Sequence, residues 1–155
     1  MIEIKPPKSI PESDDPKVFL AGSIEMGTAE HWQDTVVVRL TGEKMVILNP
    51  RRDGWDASWK QRKDNPAFRA QVEWELDALT RSDHVLMYFD PNTKSPISLL
   101  EMGLYARSGK LIVVCPDGFW RKGNVDIVCG EYGIPQFQDL NAALEHLKSL
   151  IRAKK

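Results

Sequence analysis

Short apolar runs alternate with longer stretches of helical spacing along most of the chain. The apolar runs predict strands at KVFLA, MVIL, HVLMYF and KLIVVC, with a possible fifth strand at Gln136–Phe137. Helical spacing predicts helices over about 29–41, 67–81, 97–108 and 140–153, and a short helical segment follows the loop with Gly118 and Gly123. The strands are apolar on both faces, which is typical of a parallel sheet covered by helices.

The first 16 residues differ from this pattern, because they are polar and contain four prolines. They predict an extended N-terminal arm, and residues 17–155 have the length of a single domain. A polar loop over residues 49–66 separates the second strand from the next helix. Loops of this length inside a compact domain are uncommon and are often functional.

A site is expected beyond the carboxyl ends of the strands, where the strand order of an open parallel sheet reverses. For a five-stranded sheet of order 2-1-3-4-5 this point lies between the first and third strands. The loops over residues 22–27 and 90–96 flank it, and both are rich in small, polar and acidic residues. The first loop lacks the spacing of a dinucleotide fingerprint and a phosphate-binding lysine, so a turn that needs Gly22 explains it equally well.

The helix near residues 67–81 carries a glutamate beside its apolar face. Glu75 is three residues after Val72 and four before Leu79, and it lies outside the stripe of charged residues spaced by four on the same helix. The residues expected to face the sheet are Phe68, Val72, Leu76 and Leu79.

The next helix repeats this arrangement with Glu101, which is four residues after Ile97 and three before Leu104. The expected apolar face consists of Ile97, Leu100, Leu104 and Tyr105. Buried carboxylates are costly unless they are paired or hydrogen-bonded, so both glutamates are either satisfied structural groups or chemical ones. A glutamate at the edge of a pocket can attack the C1′ atom of a sugar, while a second acid protonates the departing base.

Composition and charge exclude several other classes of function. The formal net charge of −1 gives no bulk attraction to nucleic acid or to an anionic membrane, and no apolar run approaches the roughly 20 residues of a membrane span. Two cysteines make no disulfide framework, which fits a reducing cytosol. The three histidines are scattered without metal-ligand spacing, so we expect neither a metal nor another cofactor.

Four segments together resemble a known family: FLAGSIEMG, VEWELDALTRSDHVLMYF, SPISLLEMGLYARSGKLIVV and GNVDIV. The chain resembles the nucleoside 2-deoxyribosyltransferases and the related 2′-deoxynucleoside 5′-phosphate N-hydrolases over Val18 to Phe137. The resemblance implies a flavodoxin-like three-layer sandwich and a covalent deoxyribosyl intermediate on Glu101, from which the sugar passes to another nucleobase. Glu101-Met102-Gly103 matches the family's nucleophile segment. Glu75 stands eight residues before Asp83, where the family has an acid that is usually aspartate.

The resemblance also implies a set of substrate-binding residues. Transferases often have an aspartate six residues before the nucleophile; Ser95 stands there, and Asp90 is expected to substitute in part. A serine at that place helps the hydrolases to bind phosphate, but those enzymes have a basic residue where this chain has Glu25, which would repel phosphate. We therefore expect deoxynucleosides rather than their 5′-phosphates as substrates. The complete set of expected binding residues is Gly22, Ser23, Ile24, Asp90, Ser95, Asn124 and Asp126.

The resemblance further implies a homo-oligomer, because family members complete each pocket with residues of a neighbouring subunit. Asn124 resembles the asparagine that does this, and Asp126 replaces a methionine of the family. Three functions remain open at this point: a transferase, a hydrolase of deoxynucleosides or their 5′-monophosphates, and a non-catalytic nucleotide sensor.

Several residues outside these motifs keep two interpretations. Trp55 and Trp59 either stack on a base or pack the long loop onto the domain. Trp120 lines either the pocket or a subunit interface, and Arg51 and Arg52 are candidates for holding an anion.

Overall fold

The computed structural model describes residues 1–25, 29–54, 56 and 58–153. Strands and helices alternate from the second strand onward, as the pattern of apolar residues predicts. In chain order the elements are β1 (Ile2–Ile4), β2 (Lys17–Gly22), α1 (Trp32–Arg39), β3 (Val46–Leu48), α2 (Pro66–Arg81), β4 (His84–Tyr88), α3 (Pro96–Tyr105), β5 (Leu111–Val114), α4 (Lys122–Tyr132), β6 (Gln136–Phe137) and α5 (Leu140–Ala153).

All paired strands run parallel, in the order β1-β3-β2-β4-β5-β6. Without β1 this is the order 2-1-3-4-5 that the sequence predicts, and the flavodoxin-like class is confirmed. The number of strands was wrong, because the start of the expected arm forms a sixth strand at the edge of the sheet. Ile2 pairs with Val46 and Ile4 with Leu48. Three residues are too few for a period of two to identify a strand.

The sheet separates two hydrophobic clusters, which makes the molecule three-layered. Alternate residues of the central strands point to opposite faces. Phe19, Val85 and Met87 pack on the side of α2, α3 and α4, whereas Leu20 and Leu86 pack on the side of α1 and α5.

The buried faces of α2 and α3 differ from the expected ones. In α3, Ile97, Leu100 and Leu104 are 59–60% exposed, while Ser98, Glu101 and Met102 are buried. In α2, Leu76 is 44% exposed, and the buried residues are Gln71, Ala78 and Leu79. The reason is that apolar residues occur on several sides of both helices, so that spacing alone does not determine which side faces the sheet. Glu101 is nevertheless buried, and Glu75 is half-buried.

Two kinds of feature are absent from the described residues. None of the described helices is both long and apolar enough to cross a membrane. Among the same residues, no group of three or more histidine, cysteine, aspartate or glutamate side chains is placed to hold a metal ion.

Candidate active site

A glycine brings β2 and β4 into close contact at their carboxyl ends, where the strand order reverses. Gly22 has a φ of +132°, and a Cβ atom built on it would lie 2.2 Å from the carbonyl oxygen of Tyr88. Only glycine fits so close an approach. The next residue, Ser23, donates its backbone N–H to the same oxygen at 2.9 Å. Gly22 therefore sets the geometry of the crevice floor.

Three buried hydroxyl groups form a cluster between the loops that follow β2 and β4. The Oγ1 atom of Thr93 lies 2.9 Å from Ser23 Oγ and 2.7 Å from Ser95 Oγ, and the two serine hydroxyls are also hydrogen-bonded. Ser23 Oγ accepts the backbone N–H of Asp90 at 2.9 Å. This hydroxyl cluster (Ser23, Thr93 and Ser95) brings together two residues that the sequence assigns to substrate binding.

The side chain of Glu25 accepts hydrogen bonds from the backbone N–H groups that precede α3. Its Oε1 atom accepts from Lys94 N at 2.8 Å and from Ser95 N at 2.6 Å. Glu25 and Ser95 have φ angles of +45° and +48°, a region that residues other than glycine rarely adopt. A helix N-terminus favours negative charge, so the carboxylate lies where a bound anion would be stabilised.

Asp90 ties the two loops together. Its Oδ1 atom accepts from Asn92 N at 2.9 Å, and its Oδ2 atom accepts from Glu30 N at 3.2 Å. The side chain is buried with both oxygens bound to backbone groups. Ile24 contributes its carbonyl oxygen, which accepts from Ala29 N at 3.1 Å. In this structure both residues shape the crevice.

The arginines of the long loop have protein partners. The buried Arg51 guanidinium donates to the carbonyl oxygens of Ala29 and Glu30, each at 3.1 Å, and to Gln33 Oε1 at 3.3 Å. It fastens the end of the loop after β2 to the segment after β3. Arg52 lies 5.1 Å from the ring centroid of Trp59. Trp55 lies outside the described residues.

The carboxyl groups of Glu75 on α2 and Glu101 on α3 are close enough to interact electrostatically, and we call them the carboxylate pair. Burial raises the pKa of Glu101 to about 8, and the negative charge of Glu75 adds to the rise. Burial also raises the pKa of Glu75, and a hydrogen bond from Gln71 partly offsets this effect. No hydrogen bond from a described residue stabilises the charged form of Glu101. Two like charges in one buried place ionise with difficulty, so the pair holds a proton near neutral pH.

Gln71 is a site residue that the sequence analysis missed. It is 3% exposed, and its Nε2 atom donates to Glu75 Oε1 at 2.7 Å and to the carbonyl oxygen of Pro50 at 3.0 Å. The sequence did contain a signal for it, since Gln71 stands four residues before Glu75. Residues four apart on a helix are neighbours.

Asn124 and Asp126 lie on α4, and among the described residues neither is hydrogen-bonded to Glu75 or Glu101. Both are exposed. Asp126 accepts from Lys122 at 3.0 Å and from Gln136, a residue of the edge strand β6. Trp120 contacts the loop that follows β4, because its Nε1 atom donates to the carbonyl oxygen of Lys94 at 2.9 Å.

Fold and site together define a flavodoxin-like α/β protein in which α2 carries a half-buried carboxyl group and α3 a buried one. A family model described as "Nucleoside 2-deoxyribosyltransferase like" matches residues 15–119. The chain therefore belongs to this family, which confirms the resemblance seen in the sequence.

Comparison with solved structures supports the fold alone. A structure described as a conserved protein from Enterococcus faecalis V583 has a TM-score of 0.61 and 15% sequence identity, covering 87% of this chain and 98% of that chain. No curated protein matches this chain.

Proposed function

We propose that the protein cleaves the N-glycosidic bond of 2′-deoxynucleosides and transfers the deoxyribose to another nucleobase. The observation that carries this proposal is the buried carboxylate of Glu101, 8% exposed and next to a second carboxyl group, in a chain of this family. Burial of a carboxylate that is neither ion-paired nor hydrogen-bonded is unfavourable for folding, and such groups concentrate at reactive sites.

In the first half of the reaction an oxygen of the Glu101 carboxylate attacks C1′ of the sugar. The C1′–N bond breaks, its electron pair goes to the base nitrogen, and Glu75 supplies the proton that the base takes up. An ester between Glu101 and deoxyribose results. In the second half a nitrogen of another base attacks C1′ and releases Glu101, and the proton lost by that base returns to the pair.

A hydrolase is the second candidate, because water can attack the same ester in place of a base. The resemblance covers both kinds of enzyme, and the difference depends on what fills the acceptor position. A non-catalytic nucleotide sensor ranks third, since binding alone gives no reason to bury an unpaired carboxylate beside another one.

The crevice favours substrates without a 5′-phosphate. The hydroxyl cluster offers hydrogen bonds to a sugar, whereas Glu25 already fills the N–H groups of Lys94 and Ser95. A phosphate at this place would meet a negative charge at short range. We therefore propose deoxynucleosides, and not their 5′-monophosphates, as the preferred donors.

A homo-oligomer would complete the pocket. The stripe of Ile97, Leu100 and Leu104 is an exposed apolar face on α3, and Ile127 on α4 is 74% exposed. Exposed apolar patches commonly mark protein interfaces. In such an oligomer Asn124 and Asp126 of one subunit would reach the pocket of another.

The test is incubation of the protein with each deoxynucleoside, with and without a second free base, followed by chromatography. A new nucleoside identifies a transferase, and free base without new nucleoside identifies a hydrolase. If neither product forms with any of the deoxynucleosides or their 5′-monophosphates, the sensor becomes the better hypothesis.

A further inference from the structure

The amide of Gln71 has a fixed orientation beside the carboxylate pair. A primary amide nitrogen carries two hydrogens, and Nε2 uses one for the carbonyl oxygen of Pro50 and one for Glu75. A carbonyl oxygen only accepts hydrogen bonds, so the nitrogen must face Pro50. The Oε1 atom of Gln71 has no partner among the described residues, yet turning the amide over would aim this oxygen at two acceptors. Glu75 therefore always meets an N–H donor.

This donor makes the two members of the carboxylate pair unequal. A hydrogen bond to the charged form of a carboxyl group favours that form. Glu75 receives such a bond, while no described residue donates one to Glu101. Among the described residues, Glu75 is the charged side chain that raises the pKa of Glu101, and the repulsion between the two charges is mutual.

We propose that Gln71 is a positioning residue that keeps the shared proton of the carboxylate pair on Glu101 until substrate binds. This inference rests on the proposed function for its role in the reaction, and on the two hydrogen bonds of Gln71 for its effect on the pair.

The stored proton balances the first half of the reaction. The resting pair consists of neutral Glu101 and charged Glu75. As the substrate reacts, the proton passes from Glu101 to Glu75 and then to the base nitrogen, while Glu101 forms a bond to C1′. The products are a neutral ester on Glu101, charged Glu75 and a protonated base, so the pair carries one negative charge before and after. The N–H on Glu75 Oε1 leaves Oε2 to carry the proton and makes protonated Glu75 a stronger acid.

The experiment compares Gln71→Met, which removes the donor at similar volume, with Gln33→Met. Gln33 is a matched control because it is also a buried glutamine, but it contacts Arg51 on the other side of the sheet. Glutamate carboxyl carbons are labelled with ¹³C and titrated by NMR without substrate, and the pH profile of kcat/KM is measured on the same proteins.

In Gln71→Met we expect the first ionisation of the pair, that of Glu75, to move up by about 1 pH unit. The second ionisation should stay in place, because Glu75 is charged both before and after it. The acid limb of kcat/KM should move by the same amount, and Gln33→Met should change neither measurement. Should Gln71→Met fail to fold, Gln71→Asn keeps the amide but shortens its reach, and the same shift is expected.

An unchanged first ionisation in a folded Gln71 variant would overturn the inference, as would an equal shift in Gln33→Met. The titration needs no turnover. An inactive wild-type protein whose titration still shifts in Gln71→Met would overturn the proposed function and leave the proton placement standing.

Discussion

The loops of the crevice and the carboxylate pair differ in how far their polar side chains are hydrogen-bonded. In the loops every hydroxyl of the cluster has hydrogen-bond partners, and the carboxylate of Glu25 accepts two backbone N–H groups. In the pair, Glu75 accepts one hydrogen bond, and none from a described residue reaches the Glu101 carboxylate.

This difference indicates that the loops form the rigid framework of the site and that the carboxylate pair is its reactive part. A satisfied polar group costs little to bury, so the loops hold their shape and can present hydrogen bonds to a ligand. An unsatisfied carboxyl group makes the folded state less stable, and an ester bond to a substrate keeps Glu101 uncharged in its buried position. The pair is thus the place where a substitution should change chemistry, and the loops are where it should change selectivity.

The largest expected effect comes from removing the carboxylate of Glu101. Glu101→Ala and Glu101→Gln should lower both transfer and hydrolysis by at least about 10⁴-fold, because an amide or a methyl group cannot form the ester. Steady-state assays with chromatographic detection give the measurement, and circular dichroism checks the fold. Activity near the wild-type value in either variant would remove Glu101 from the mechanism.

The stability of the protein should also depend on Glu101, in the direction opposite to that of most carboxyl groups. The pKa of Glu101 rises from 4.5 to about 8 on folding. Between these values the folded protein holds a proton that the unfolded chain releases. The free energy of unfolding should therefore fall as pH rises, by up to about 1.4 kcal/mol per pH unit.

Urea titrations of wild type and Glu101→Gln at several pH values measure this dependence. In Glu101→Gln the free energy of unfolding should fall much less between about pH 5 and about pH 8 than it does in the wild type. If the free energy of unfolding depended on pH equally in the two proteins, Glu101 would ionise in the folded protein as easily as in the unfolded chain.

Glu75→Gln tests whether the second carboxyl takes part in proton transfer. We expect kcat to fall by about 10²-fold, the scale of a general acid, with little change in melting temperature. Glu73→Gln is the matched control, because Glu73 is an exposed residue of α2 that pairs with Arg69. A Glu75 variant with normal kcat and a lower melting temperature would indicate a structural carboxylate.

The smallest effect is expected at Glu25. Glu25→Ala should lower the ratio of kcat/KM for deoxynucleosides to kcat/KM for their 5′-monophosphates by about tenfold. A negative charge a few ångströms from a phosphate weakens its binding by on the order of 1–4 kcal/mol. Glu30→Ala removes the same charge from an exposed position of the same loop and should leave kcat/KM for both substrates unchanged. A wild-type protein that prefers the monophosphate would contradict this role of Glu25.

The sequence predicted the sheet better than the helix faces. The runs that became β2, β3, β4 and β5 are short and almost entirely apolar, which is typical of strands that are buried on both faces of a sheet. In α3 apolar residues lie on all sides, and the exposed stripe of Ile97, Leu100 and Leu104 was mistaken for the buried one. The sequences of α2 and α3 still indicated Glu75 and Glu101 as candidate site residues. A glutamate within an apolar pattern stands out whichever side of the helix is buried.

Contacts between distant segments were beyond the sequence. Nothing in the pattern indicates that Glu25 reaches the N–H groups of Lys94 and Ser95, about 70 residues away, or that Arg51 holds Ala29. Such contacts depend on the conformation of loops, and loop conformation follows from the whole fold rather than from local spacing. Gln71 escaped notice for a similar reason, since its second partner is the backbone of Pro50.

The edge strand β1 has a practical consequence for anyone who handles the protein. Glu3 accepts a hydrogen bond from Asn49 at 2.7 Å, and Asn49 in turn accepts the backbone N–H of Arg51 at 3.0 Å. The fastening of the crevice loop by Arg51 is thus linked to the third residue of the chain. A substitution of Glu3 would therefore reach the crevice loop through these hydrogen bonds, whereas a substitution on the exposed side of α5 would leave them untouched.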